Sequence, residues 1–228
     1  MSRTHYLAEL KSVRQHLVAM GDTVLALFDE AAGSVSDPNP DRAARAGELE
    51  VLIDHQHRLI HDECLTLITL EAPVARDARF VTGVLDAIVD LELIGDYSYE
   101  IVTLASGIAR HPPSQVLAQI SEVAKKVRAA LATAIDAWGS EDSAPGLSLR
   151  SQETGIRAEC GALYDKLGQL TSGAGEGTTY LNLMLISRYL ERLLRHVVCA
   201  AEQSVGAGQA SGLSTQYGLD GQFWAIPI

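Results

Sequence analysis

Glu92 and Asp96 are the residues of this chain whose type and spacing best suit chemistry. On a helix advancing about 100° per residue they fall about 40° apart and present their carboxylates together. Val81, Leu85, Ile88, Val89, Tyr99 and Thr103 lie within about 60° of Glu92 by the same geometry. The pair is therefore expected inside an apolar stripe, where a charge needs an ionic partner or a metal. Glu50 and Asp54 repeat the i, i+4 spacing on the preceding segment, and His57 and His61 continue the same stripe. If the two segments are antiparallel neighbours, Glu50, Asp54, Glu92 and Asp96 converge, with His57, His61 and Glu100 as further candidate ligands. An oxygen-rich set suits magnesium, manganese, calcium or iron, and imidazole shifts the choice toward iron or zinc. The opposite reading stays open, with Glu50 and Asp54 solvated and arginines neutralising Glu92 and Asp96.

Six helical segments must position these residues. The first, about Arg3 to Ala32, carries Leu10, Val13, Leu17, Met20, Val24, Leu27 and Ala31 at alternating spacings of three and four, a heptad seam that Gly33 is expected to end. The second runs from about Pro40 to Leu70 and breaks at Glu71-Ala72-Pro73. The third runs to about Ala105. The fourth has its seam at Val116, Ile120, Val123, Val127, Ala130, Ala134 and Ala137, ahead of a linker expected through Pro145 and Gly146. The fifth has apolar residues from Leu149 to Leu170, and the sixth spans about Thr178 to Val205. Asp90-Leu91-Glu92-Leu93 is echoed by Tyr189-Leu190-Glu191-Arg192 at an offset of 99 residues, so a three-helix unit is expected twice. The expected fold is all-α, two pseudo-repeated antiparallel three-helix bundles over 1–112 and 113–205, with a Gly- and Ser-rich tail over 206–228 that ends in apolar residues.

Composition narrows the function. The chain of 228 residues carries a formal charge of −11, which argues against nucleic acid as the main partner. No apolar run reaches the ~18 residues of a membrane span, and the N-terminal residues lack a secretory h-region, so a cytoplasmic protein is expected. Cys64, Cys160 and Cys199 are odd in number and widely spaced, and read as core residues. No phosphate-binding Gly-rich lysine loop and no catalytic nucleophile stand out, so an enzyme is not expected.

Several motifs together resemble the PhoU family. Asp90-Leu91-Glu92-x-Ile94-Gly95-Asp96 resembles its D-L-E-R-I-G-D signature. Glu71-Ala72-Pro73-Val74-Ala75-Arg76-Asp77-Ala78-Arg79 resembles its Q-Q-P-V-A-x-D-L-R turn, Ile53-Asp54 its I-D pair, and Arg188-Tyr189-Leu190-Glu191-Arg192 the R-Y-L-E-R of its second repeat. The likeness covers roughly residues 5 to 205. It implies tandem three-helix bundles. It also implies a regulator of phosphate uptake that contacts the ATPase subunit of a phosphate ABC transporter and a sensor histidine kinase, and that dampens the phosphate-starvation response. Some members bind multinuclear iron or zinc at E/D-x-x-x-D motifs.

The second half departs from that pattern. Glu191-x-x-x-Arg195 stands where paired acids are expected, and Arg157 and Gly161 occupy the corresponding places on the fifth segment. Glu191 and Arg195 are expected to pair with each other, leaving no metal site there. Arg76, Arg79, Arg188 and Arg192 are either solvated charge or a docking surface for a partner. The seams of the first and fourth segments are long enough to support a homodimer. The readings that remain are a regulator acting by binding, a metal-dependent helical-bundle enzyme, and a metal-free adaptor.

Overall fold

In the computed structural model six helices follow one another: α1 (Arg3–Ser36), α2 (Pro40–Glu71), α3 (Ala75–Ser106), α4 (Ser114–Ser140), α5 (Ala144–Leu170) and α6 (Gly177–Gly208). The structure describes residues 3–108, 112–140, 144–171 and 177–208, with no strand among them. Asn39 caps α2 by accepting from the Arg42 amide at 3.0 Å, with Pro40 in the first turn, where its missing N–H costs nothing. The α2 C-cap, Ala72, adopts the left-handed conformation at φ 46° just before Pro73, so the chain reverses into α3.

Helix ends differ from the expected ones in two places. α1 continues past Gly33 to Ser36, because Gly33 leaves room for the Arg42 guanidinium rather than ending the helix. α5 begins at Ala144, so Pro145 and Gly146 belong to its first turn and not to a linker. The expected boundary at 112 and 113 falls in the α3–α4 connection. Of the expected 206–228 tail, residues 206–208 close α6 and 209–228 lie outside the described residues.

α1, α3, α6 and α4 pack in a ring, each on the next, with the α3–α6 contact the most extensive; α2 docks on the α1/α3 flank and α5 on the α4/α6 flank. One continuous apolar core runs through both halves. The offset of 99 carries buried Val84, Leu91, Ile94 and Ile101 of α3 onto buried Leu183, Leu190, Leu193 and Ala200 of α6. Contacts obey the same pseudo-two-fold relation. His196 Nδ1 lies 2.8 Å from Asp90 Oδ1, and the related pair, Tyr97 and Tyr189, stacks at 5.5 Å between ring centroids. Asp29 and Arg128, themselves 99 residues apart, meet on the pseudo-axis between α1 and α4 through bonds of 2.6 and 2.8 Å.

Candidate carboxylate site

Gly95 sets the distance between α2 and α3. A Cβ there would stand 3.1 Å from Ile53 Cδ1, tighter than ordinary packing, so the two backbones approach closely at this point. Asp54 and Asp96 each follow one of these contact residues, Asp54 half-buried and Asp96 exposed at the edge of the contact. Glu50, Asp54, Glu92, Asp96 and Glu100 consequently form a like-charge group. Partial burial, followed by the charges of Glu92, Asp54 and Glu100, raises the Asp96 carboxyl above its ordinary range. Partial burial, then Asp54 and Asp96, does the same to Glu50. His57 Nδ1 stands 3.6 Å from Glu92 Oε2, and Arg58 reaches Asp54 at 3.8 Å from the solvent side.

Burial differs from expectation. Asp96 is exposed and Glu92 half-buried, while Val89 and Tyr99, expected to wall them in, are 47% and 38% exposed. α3 has its fully buried stripe at Val84, Ile88, Leu91, Ile94 and Ile101, and the acids lie beside it, on the flank that α2 partly covers. His61 turns to Asp62 at 3.5 Å, its ring 6.4 Å from that of His57. Among the described residues no three His, Cys, Asp or Glu side chains are drawn together closely enough to enclose a metal ion.

The second half resolves its charges internally. Arg157 stands 3.4 Å from Glu191 and 3.6 Å from Glu153, and Arg188 closes on Glu191 at 2.5 Å. Glu191 thus pairs with Arg157 and Arg188 rather than with Arg195, because α5 brings a guanidinium to the flank where α2 brings carboxylates. Arg188 also lies over the Tyr164 ring, and Arg192 over Tyr97 at 5.8 Å. Arg76 and Arg79 are exposed in the first two turns of α3, Arg76 beside Lys11 and Arg14 in a groove of about 560 Å³. Burial pushes the Cys64 thiol up to about 12 and those of Cys160 and Cys199 up to about 11, so all three stay protonated near neutrality.

Sequence reasoning missed the Asp90–His196 pair, which Gln203 completes by donating to Asp90 Oδ2 at 3.1 Å. The repeat carried a usable signal, since antiparallel docking of two equivalent helices pairs residues at equal distances from their common midpoint.

A PhoU domain model matches residues 17–105. A Synechocystis protein named as a phosphate-specific transport system accessory protein PhoU homolog is 27% identical over 201 residues, 88% of this chain and 90% of that one. The Pseudomonas aeruginosa homolog is 26% identical over 208 residues, 88% of this chain and 86% of its own. The crystal structure of PhoU from Pseudomonas aeruginosa superposes with a TM-score of 0.84 at 24% identity, over 89% of this chain and 98% of that chain. PhoU from Streptococcus pneumoniae gives 0.81 at 20% identity, over 91% and 100%. Residues 17–105 thus match the PhoU domain model, and the chain is similar along both halves to PhoU homologs and shares the fold of solved PhoU structures.

Proposed function

We propose that this protein is an accessory regulator of phosphate transport that acts by binding, without turnover, and that engages the transporter's ATPase subunit, a sensor histidine kinase, or both. The observation that carries the reading is similarity to phosphate-specific transport accessory proteins along 88% of the chain, spanning both halves. No described helix is long and apolar enough to cross a membrane, which suits a protein that acts on a membrane transporter from outside the bilayer.

The carboxylates of the first half suit a hard cation. Partial burial, and after it the neighbouring like charges, makes Glu50 and Asp96 hold protons more readily than isolated surface acids, and a bound iron, zinc, manganese or magnesium ion would relieve the repulsion. Glu50, Asp54, Glu92 and Asp96 would supply the oxygens, and His57 stands beside Glu92. The cation would supply positive charge that ties α2 to α3. One set of contacts favours a metal-free adaptor instead: Arg58 and His57 already stand near Asp54 and Glu92.

Deleting the gene from its host should switch on phosphate-starvation genes in phosphate-rich medium, as read by a transcriptional reporter, and the wild-type copy should restore repression. An unchanged reporter in the deletion strain removes the proposal.

A further inference from the structure

The outer surfaces of the two flanking helices differ in a way the repeated fold does not require. α2 exposes six large apolar side chains, Val51, Leu52, Leu59, Leu65, Ile68 and Leu70, whereas the described residues of α5 expose none. Leu52, Leu59 and Leu70 follow one line along α2, spaced seven and eleven residues apart, over about 27 Å. At the α1 edge of this line is a groove of about 380 Å³. Leu67, buried, and Leu59 and Leu70, 41% and 63% exposed, form its apolar wall. Its rim carries Glu9, Asp62, Glu63 and Glu71, and no Lys or Arg lines it. His5 and His16 stand against Glu9 and Glu63 at 3.3 and 2.9 Å. The counterpart groove between α4 and α5 carries Gln115, Gln119, Ala162 and Lys166, and its two acids, Glu122 and Glu159, are paired with Lys125 and Lys126.

We propose that the α1/α2 groove is a docking site for an amphipathic helix with a basic flank, carried by a partner protein. The groove's apolar wall, Leu59, Leu67 and Leu70, runs about three turns and accepts leucine-type anchors at i, i+3/i+4 and i+7. An acidic rim without a resident cation selects Lys and Arg beside those anchors. The α4/α5 groove, with the same place in the fold, has neither property. The assignment stands apart from the carboxylate site, which lies on the α3 side of α2.

The test uses the full chain and a fluorescent Leu/Lys peptide of about 18 residues with leucines at helical spacing, beside a Leu/Glu peptide of the same pattern. Fluorescence anisotropy should show binding of the Leu/Lys peptide only. Leu59→Ser/Leu70→Ser, which leaves the net charge unchanged, should weaken binding about tenfold or more, and Glu9→Gln/Glu63→Gln should weaken it and flatten its salt dependence. Ala162→Ser should change it less than about twofold. Hydroxyl-radical footprinting of the wild-type protein should show Leu59 and Leu70 protected by the peptide, which needs no variant to fold. Equal binding by wild type and Leu59→Ser/Leu70→Ser would overturn the proposal, since attraction would then follow overall charge. It would also be overturned by a wild-type dimer that this variant dissociates in sedimentation velocity, which would assign the groove to a second copy. Peptide binding that appears only after removal of residues 209–228 would assign it to the chain's own segment and overturn the proposal likewise.

Discussion

Gly95 and Ile53 let α2 approach α3 closely, and that approach brings Glu50 and Asp54 within reach of the Asp96 charge. Gly95→Ala would place a methyl 3.1 Å from Ile53 Cδ1, so Ile53 or its helix must give by a few tenths of an ångström. The expected loss is about 1–3 kcal/mol in urea unfolding, with Ile53→Val, which removes the obstructing methyl, recovering part of it. The raised carboxyls of Asp96 and Glu50 carry a pH signature. A carboxyl whose folded pKa exceeds its unfolded one binds more protons in the native state. Its contribution is therefore most favourable at low pH and is lost as pH rises from the unfolded toward the folded value. In protein stripped of metal with a chelator, Asp96→Asn should accordingly raise the melting temperature at pH 7, by on the order of 1 °C, and do so less at pH 4. An equal shift at both pH values would contradict a carboxyl raised by partial burial and its acidic neighbours. The i, i+4 spacing made these acids legible as one face of a helix. It does not show how much of that face α2 covers, so the spacing places Asp96 inside while the structure leaves it exposed.

Helix number and order were legible because heptad seams and Pro breaks are strong local signals. The ends were less so, since Gly33 serves a neighbouring guanidinium and Pro145 a first turn. Which helices pair across the halves is a tertiary property that no local pattern carries. The α3–α6 contact holds polar pairs of two kinds. Asp90 and His196 are only 13% and 22% exposed, and Gln203 shares the carboxylate. Asp90→Ala leaves two polar groups partly buried without their acceptor and should cost about 1–3 kcal/mol. Asp29 and Arg128 pair at 2.6 Å in solvent between α1 and α4, and Asp29→Asn should cost under about 1 kcal/mol. Denaturation of the two variants side by side checks the order, and a larger loss at Asp29 would contradict the assignment of α3–α6 as the tighter contact.

At the scale of the molecule, the offset of 99 announced a duplication, and the structure adds that the two copies share one core through α1, α3, α4 and α6. A fragment of residues 1–112 would uncover the α1 and α3 faces that α4 and α6 cover. It should lose cooperative unfolding by circular dichroism or self-associate in sedimentation, while the full chain unfolds in one transition. The duplication has also diverged in charge, with Glu50, Asp54, Glu92 and Asp96 on one flank and Arg157 bridging Glu153 and Glu191 on the other. The proposed cation binding therefore belongs to the first half alone. Plasma emission analysis of protein purified without chelator or metal-affinity tag tests this most directly, comparing wild type, Glu92→Ala/Asp96→Ala and Glu191→Ala. The account predicts bound metal in the wild type and in Glu191→Ala, and its loss from Glu92→Ala/Asp96→Ala. Equal metal content in the wild type and Glu92→Ala/Asp96→Ala would contradict it.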